Sequence, residues 1–166
     1  MLIIRDYNEA DANRVGILIA DTYREFNLTF ASLEESKAFL GPFQHARSPE
    51  KAHQEAIANV IRAALVFLAE KDGEILGVLR GSRDRLLSLF VSGDHHRQGI
   101  GRRLVERLEQ ECLAQGSDVI RLRSTLYAVP FYRAVGYHKS TGVRRMKSFD
   151  GEGLAYQPMK KALKRG

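Results

Sequence analysis

The spacing of apolar positions changes period along this chain, and each change marks an element. Leu2 and Ile4 flank Ile3 in a short first strand, and Asp6 and Asn8 then supply turn and cap chemistry. Over residues 10–26, Ala12, Val15, Ile19, Tyr23 and Phe26 fall three or four apart, the spacing of one buried helix face. Asn27-Leu28-Thr29-Phe30 interrupts that face. Ser32 followed by Glu35 has capping-box spacing and predicts a short helix toward Leu40, stopped by Gly41-Pro42. Ser48-Pro49 predicts another start, with Pro49 at the first helical position and the helix running to Arg62.

From Leu65 the pattern becomes that of strands. Apolar runs at 65–70, 75–81 and 86–91 are joined by the turns Lys71-Asp72-Gly73-Glu74 and Arg83-Asp84, so these strands should be antiparallel neighbours. Ile100, Leu104, Leu108 and Cys112 then recur every fourth residue, with Val105 beside them. They predict a helix over 99–115 capped by Gly116. A strand at 118–123 completes a strand–helix–strand crossover, which makes it parallel to 86–91. A short helix at 128–134 ends at Gly136, and 143–148 and 154–159 close the chain as strands. The fold class is a mixed α/β sheet with helices on its faces, in one domain spanning 1–166.

Composition agrees with a globular chain: of 166 residues, 44% are hydrophobic and 28% charged. No stretch approaches the ~20 apolar residues of a membrane span. The start of the chain lacks the basic region and small-residue cleavage site of a signal peptide. The one cysteine, Cys112, excludes a disulfide framework and a Cys-rich zinc site, and reads as core filler. The cytoplasm is the expected compartment. The net charge is +6, but Lys160, Lys161, Lys164 and Arg165 supply four of those charges, so no specific nucleic-acid partner is expected. A metal is not expected either, because His95 and His96 are adjacent and cannot both face one ion from a regular strand or helix.

A local basic cluster is more informative than the net charge. His95, His96, Arg97, Arg102, Arg103 and Arg107 surround Gly99 and Gly101 at the start of the 99–115 helix. A helix N-terminus carries unpaired N–H groups and the positive end of the dipole, so this loop is an anion cradle or a plain tight turn. It lacks the Lys and Ser/Thr of a Walker loop, and the third glycine of a dinucleotide fingerprint is replaced by Leu104.

Gln98-Gly99-Ile100-Gly101, behind Leu89-Phe90-Val91 and ahead of an amphipathic helix, resembles the acetyl-CoA signature of the GNAT superfamily of N-acetyltransferases. His96 stands at the signature's first position, where the family has Arg or Gln, and Gly93 stands where many relatives have proline. The block from Ser124 to Tyr137, with Phe131-Tyr132 ahead of Gly136, resembles the family's later motif. Tyr156-Gln157-Pro158-Met159-Lys160-Lys161 looks like the last strand of many members.

The resemblance implies a mostly antiparallel sheet with a central parallel pair splayed at a cofactor cleft. It implies acetyl-CoA as co-substrate and direct transfer to an amine of a small molecule or peptide. Backbone groups of Leu89, Phe90 and Val91 would pair with the pantetheine arm. His96, Arg97, Gln98, Gly99, Ile100, Gly101 and Arg102 would hold the pyrophosphate. Ser124, Thr125 and Phe131 would lie beside the lower arm. Tyr132 would be the general acid, or else only the packing partner of Phe131. The usual carboxylate position for a general base is Arg85, with Asp84 facing the other way, so the base stays open. An acyl-CoA-binding sensor of the same fold without turnover is the alternative. Acceptor pockets in this fold come from the segments 23–62 and 140–153; Glu25, Glu34 and Glu35 there lean toward a cationic amine or are plain exposed helix carboxylates. Many members dimerise, so a homodimer is an expectation from resemblance alone.

Overall fold

The computed structural model describes residues 1–27, 40–148 and 151–164. The capping-box helix from Ser32, with Glu34 and Glu35, lies outside the described residues. The elements are β1 (Leu2–Asp6), α1 (Ala12–Asn27), α2 (Lys51–Ile61), β2 (Leu65–Lys71), β3 (Glu74–Ser82), β4 (Arg85–Val91), α3 (Ile100–Ala114), β5 (Val119–Thr125), α4 (Val129–Ala134), β6 (His138–Lys139), β7 (Arg144–Ser148) and β8 (Gly151–Ala162). They form a sheet in the order β1-β2-β3-β4-β5-β8-β6, with β7 also on β8. Every strand pair is antiparallel except β4–β5.

Local chemistry accounts for most boundaries. The Asn8 side chain accepts from Ala10 N and starts a 3₁₀ turn that leads into α1. The β2–β3 turn puts both Asp72 (φ 52°) and Gly73 (φ 82°) in the left-handed region, as a two-residue hairpin requires. The structure departs from the sequence reading in several places: the closing strand expected at 154–159 is longer, running over Gly151–Ala162 because it pairs with β5 as far as Ala162. Helix α2 begins at Lys51 with Glu50 as its cap, so Pro49 lies before the helix; the Ser48 hydroxyl accepts from Glu50 N and fixes the entry. The two-residue strand β6 has no apolar alternation to announce it and exists because His138 and Lys139 pair with Lys160 and Met159 of β8.

Helices cover both faces. Val15, Ile19, Leu40, Phe43, Ile57 and Ile61 pack with Leu68 and Val78 on one side. Ile100, Leu104, Leu108 and Cys112 of α3 pack with Phe67, Leu79, Ile120 and Leu122 on the other, joined by Tyr132 and Val135 of α4. Helix α3 approaches β3 closely because two glycines leave room for its ridge. A Cβ on Gly77 would lie 3.0 Å from Leu104 Cδ1 and 3.2 Å from Ile100 Cγ2, and one on Gly81 would lie 2.8 Å from Leu108 Cδ1. The four residue steps of strand from Gly77 to Gly81 span ~13 Å, close to the ~12 Å of helix from Ile100 to Leu108, so the two glycines receive the two ends of that ridge.

Strand β4 carries a bulge. Arg80 pairs with Ser88 and Gly81 with Leu86, so Leu87 is the extra residue and the faces of β4 are offset across it. Gly81 sits against this bulge, with a hypothetical Cβ only 2.9 Å from the Arg85 carbonyl oxygen. Gly81→Ala is expected to destabilise the protein by ~1–3 kcal/mol, the usual range for overpacking. Gly142→Ala, where nothing lies within 4 Å of the new methyl, should stay within ~0.5 kcal/mol of the parent. Urea midpoints of the two variants check both values.

Candidate functional site

The parallel pair at the centre of the sheet is barely a pair. Strands β4 and β5 are in register only at Arg85–Arg121 and Leu86–Leu122, and from Leu87 onward they part. Ser92 N donates to Leu76 O at 2.8 Å, which sets the phase of the β3–β4 ladder. Counting back in twos, the backbone groups of Phe90 face β3, whereas those of Leu89 and Val91 turn toward the gap. Side chains alternate too: Leu89 and Val91 pack on the α3 side, and Phe90 lies on the α1 side with its ring 6.2 Å from Tyr23.

At the top of the gap the chain turns into α3. Gly99, at φ 80°, is the N-cap, a conformation that suits glycine. Among the described residues no side chain caps this terminus, and no acid lies in its first turn, so its leading N–H groups and the positive end of its dipole are left without a capping group there. Arg97, itself at φ 64°, and Gln98 and Arg102 are exposed around it. His96 turns inward, its Nε2 2.8 Å from the Val91 carbonyl oxygen, and so ties the loop to the end of β4. Arg103 donates to Leu2 O, and Arg107 pairs with Glu111 and covers the Phe67 ring. Of the basic cluster, these two serve packing.

Three of the sequence-predicted residues, from three elements, meet at Gly101. A Cβ there would stand 3.0 Å from the Phe131 ring and 3.8 Å from Leu89 Cδ2. The absent side chain at position 101 is thus filled by Phe131. Gly93 has a similar reason: a Cβ would meet both carboxylate oxygens of Glu25 at 2.8 Å. The Glu25 contact is long-range and has no local signature in the sequence.

On the β5 side of the gap, Ser124 is buried and donates to Thr125 O at 2.7 Å, and the Thr125 hydroxyl accepts from Ala128 N. These bonds shape the turn into α4. Tyr132 is 6% exposed, with its ring edge-on to Phe131 at 5.1 Å and to Tyr137 at 6.0 Å. Its hydroxyl has no hydrogen-bond partner among the described residues. Burial pushes the Tyr132 phenol well above its ordinary range. Tyr137 is raised first by burial and then by Glu109, whose carboxylate accepts from the Tyr137 hydroxyl and pairs with Lys161. Cys112 is fully buried, its thiol pushed up to about 11 mainly by burial. Arg85 is exposed at the start of β4.

Among the described residues no helix is long and apolar enough to cross a membrane, and no three His, Cys, Asp or Glu side chains are grouped to hold a metal ion. Residues 28–163 match a family described as an acetyltransferase (GNAT) domain. Solved structures share the fold. A GCN5-related N-acetyltransferase from Rhodopseudomonas palustris is 22% identical, with 97% of this chain and 95% of that one aligned at a TM-score of 0.77. The PaiA N-acetyltransferase of Thermoplasma acidophilum, solved in complex with coenzyme A, is 18% identical over 98% and 99% of the two chains at 0.69. YncA of Salmonella typhimurium, solved with its cofactor acetyl-CoA, is 18% identical over 100% and 96% at 0.61.

Burial of the phenols has a pH consequence. Tyr7, Tyr132 and Tyr137 all have raised folded-state pKa values, with burial the largest cause in each. An unfolded tyrosine ionises near pH ~10, so stability is whole below that pH and falls as pH rises above it. In an ultraviolet absorbance titration, three of the six tyrosines should ionise late, together with unfolding. Reversible ionisation of all of them at the ordinary phenol pKa in the folded protein would contradict this.

Proposed function

The chain belongs to the GNAT acetyltransferase family, and we propose that it moves the acetyl group of acetyl-CoA directly to the primary amine of a small molecule or peptide. We read residues 1–166 as one such domain acting in the cytoplasm. The observation that carries the reading is the wedge between β4 and β5, with outward backbone groups at Leu89 and Val91 and an uncapped helix terminus at its top. An amide-bearing pantetheine arm would lie in the wedge as an added strand on Leu89 and Val91, the way an extended peptide adds to a sheet edge. The pyrophosphate would take the N–H groups leading into α3, with Arg97, Gln98 and Arg102 around it. Ser124, Thr125 and Phe131 would border the lower arm. His96 would act indirectly, holding the loop by its bond to Val91 O.

The attacking amine must be neutral, because an ammonium has no lone pair. Its nitrogen bonds to the acetyl carbon, and the carbonyl oxygen takes up negative charge that an outward N–H of Leu89 or Val91 would stabilise. The carbon–sulfur bond then breaks. The amine gives up one proton to solvent and the departing sulfur needs one. Tyr132 would supply it: burial keeps the phenol protonated, and the same burial disfavours a bare thiolate beside it, so the departing sulfur takes the proton. The tyrosinate regains its proton from water.

Because the Tyr132 hydroxyl holds no structural hydrogen bond among the described residues, Tyr132→Phe is a clean test. Release of free CoA thiol, assayed over a panel of primary amines and amino-terminal peptides, should fall by ~10²-fold or more in kcat. Acetyl-CoA affinity and Tm should hold. Unchanged turnover would remove Tyr132 from the chemistry, and tight acetyl-CoA binding without thiol release in the parent protein would favour a sensor.

A further inference from the structure

On the face opposite α3, the part of the sheet at β5 and β8 carries an unusual row of cations. Along β5, Ile120, Leu122 and Ser124 are buried, and Arg121 and Arg123 point to the other face. Register places Arg85 of β4 opposite Arg121, Arg121 opposite Lys160 of β8, and Lys160 opposite His138 of β6. Like charges directly opposite one another destabilise a sheet, so the row has a cost that folding alone does not explain. Arg123 lies one step along the same face, its guanidinium 5.5 Å from the centre of the Tyr156 ring. Arg144 pairs in register with Tyr156 and brings in a fourth arginine.

These four arginines line one cavity of about 200 Å³, and among the described residues no Asp or Glu lines it. Several arginines elsewhere are matched by acids, Arg5 with Asp11 and Glu70, Arg47 with Asp21, Arg62 with Glu9, and Arg107 with Glu111, and others, such as Arg97, Arg102 and Arg103, do not line this cavity. Arg85, Arg121, Arg123 and Arg144 have no carboxylate partner among the described residues. The hydroxyl-bearing residues Ser140 and Thr141 border the same space. Guanidinium groups gathered around one small cavity are the donor set for a carboxylate or phosphate.

The cavity sits where β4 and β5 are still paired, directly below the point at which they part. The seven residues from Arg85 to Val91 span ~20 Å of strand, so it is separate from the α3 terminus. We propose that this cavity is the acceptor pocket, and that the amine acetylated here carries an anionic group, carboxylate or phosphate, held by Arg85, Arg121, Arg123 and Arg144. The proposal rests on the acetyl-transfer reading. It also gives Arg85 a task in place of a general base: a cationic surround disfavours the ammonium form of a bound amine and so favours its nucleophilic neutral form. Glu25 of α1 does not line the cavity, and the proposal favours an anionic amine over a cationic acceptor.

The test begins with binding. The full chain is saturated with CoA, to occupy the α3 terminus, and titrated with inorganic phosphate at constant ionic strength while backbone amide NMR shifts are followed. Saturable shifts should centre on Arg121, Arg123 and Thr141, and Arg85→Gln or Arg121→Gln should weaken them by about tenfold or more, as loss of a charged hydrogen bond does. CoA affinity should stay within about twofold, and Tm should not fall, since each change relieves like-charge repulsion. No saturable shift in the parent protein, or equal affinity in the variants, overturns the pocket. Thiol release is then compared within matched amines: phosphoethanolamine against ethanolamine, and β-alanine against propylamine. A kcat/KM advantage of about tenfold for the anionic member of either pair, lost in Arg121→Gln, supports the proposal and tells phosphate from carboxylate. Equal rates within both pairs contradict it. Thiol release from none of them counts against acetyl transfer, while an Arg121-dependent phosphate titration still stands for the anion site.

Discussion

The seating of α3 on β3 is the constraint from which the rest follows. Ile100, Leu104 and Leu108 form one ridge, and Gly77 and Gly81 form the groove that receives it. A side chain at either glycine would lift the helix by part of a methyl diameter, and packed interiors pass such shifts on. Because the helix lies low, its N-terminus is held at the end of β4, and Gly101 comes against Phe131 and Leu89. The wedge, the helix terminus and the aromatic pair of α4 are therefore positioned by the packing of one helix on the neighbouring strand.

A sheet that opens in its middle breaks the rule that buried backbone groups find partners. Here the break is local. Strand β4 stays bonded to β3 along its length and β5 to β8, so only the facing edges at the gap lack a strand between them. The Leu87 bulge and the early end of the β4–β5 ladder produce it together. Such an edge is a template for an extended, amide-bearing molecule. The same gap separates two anion-seeking surfaces: the uncapped α3 terminus above and the arginine row below. A bound acyl donor and an anionic amine would meet between them.

Much of this was legible in the sequence, and what was not has a common cause. Helix α3, the hairpins and the parallel crossover all announce themselves through local periodicity and turn residues, which act over a few neighbours. Gly99 and Gly101 were legible as a helix start, and Phe131-Tyr132 as an aromatic pair. Features that depend on pairing between distant segments were not. Strand β6 exists through β8; the bulge at Leu87 exists through its register with β3; the cation row Arg85–Arg121–Lys160–His138 appears only when strands far apart in the chain are laid side by side. The spacing of four between Gly77 and Gly81 was present in the sequence, but its meaning requires knowing which helix crosses that strand. His96 illustrates the same limit, since the bond to Val91 O depends on how the loop closes.

The central claim is that an acyl donor fills the wedge as an extra strand. Amide hydrogen exchange, followed residue by residue with and without acetyl-CoA, tests it most directly. Leu89 and Val91, whose N–H groups face the gap, should become protected on addition of acetyl-CoA, while Phe90, already directed to β3, changes little. Protection spread evenly over all three residues, or none at Leu89 and Val91 with acetyl-CoA demonstrably bound, would contradict the account.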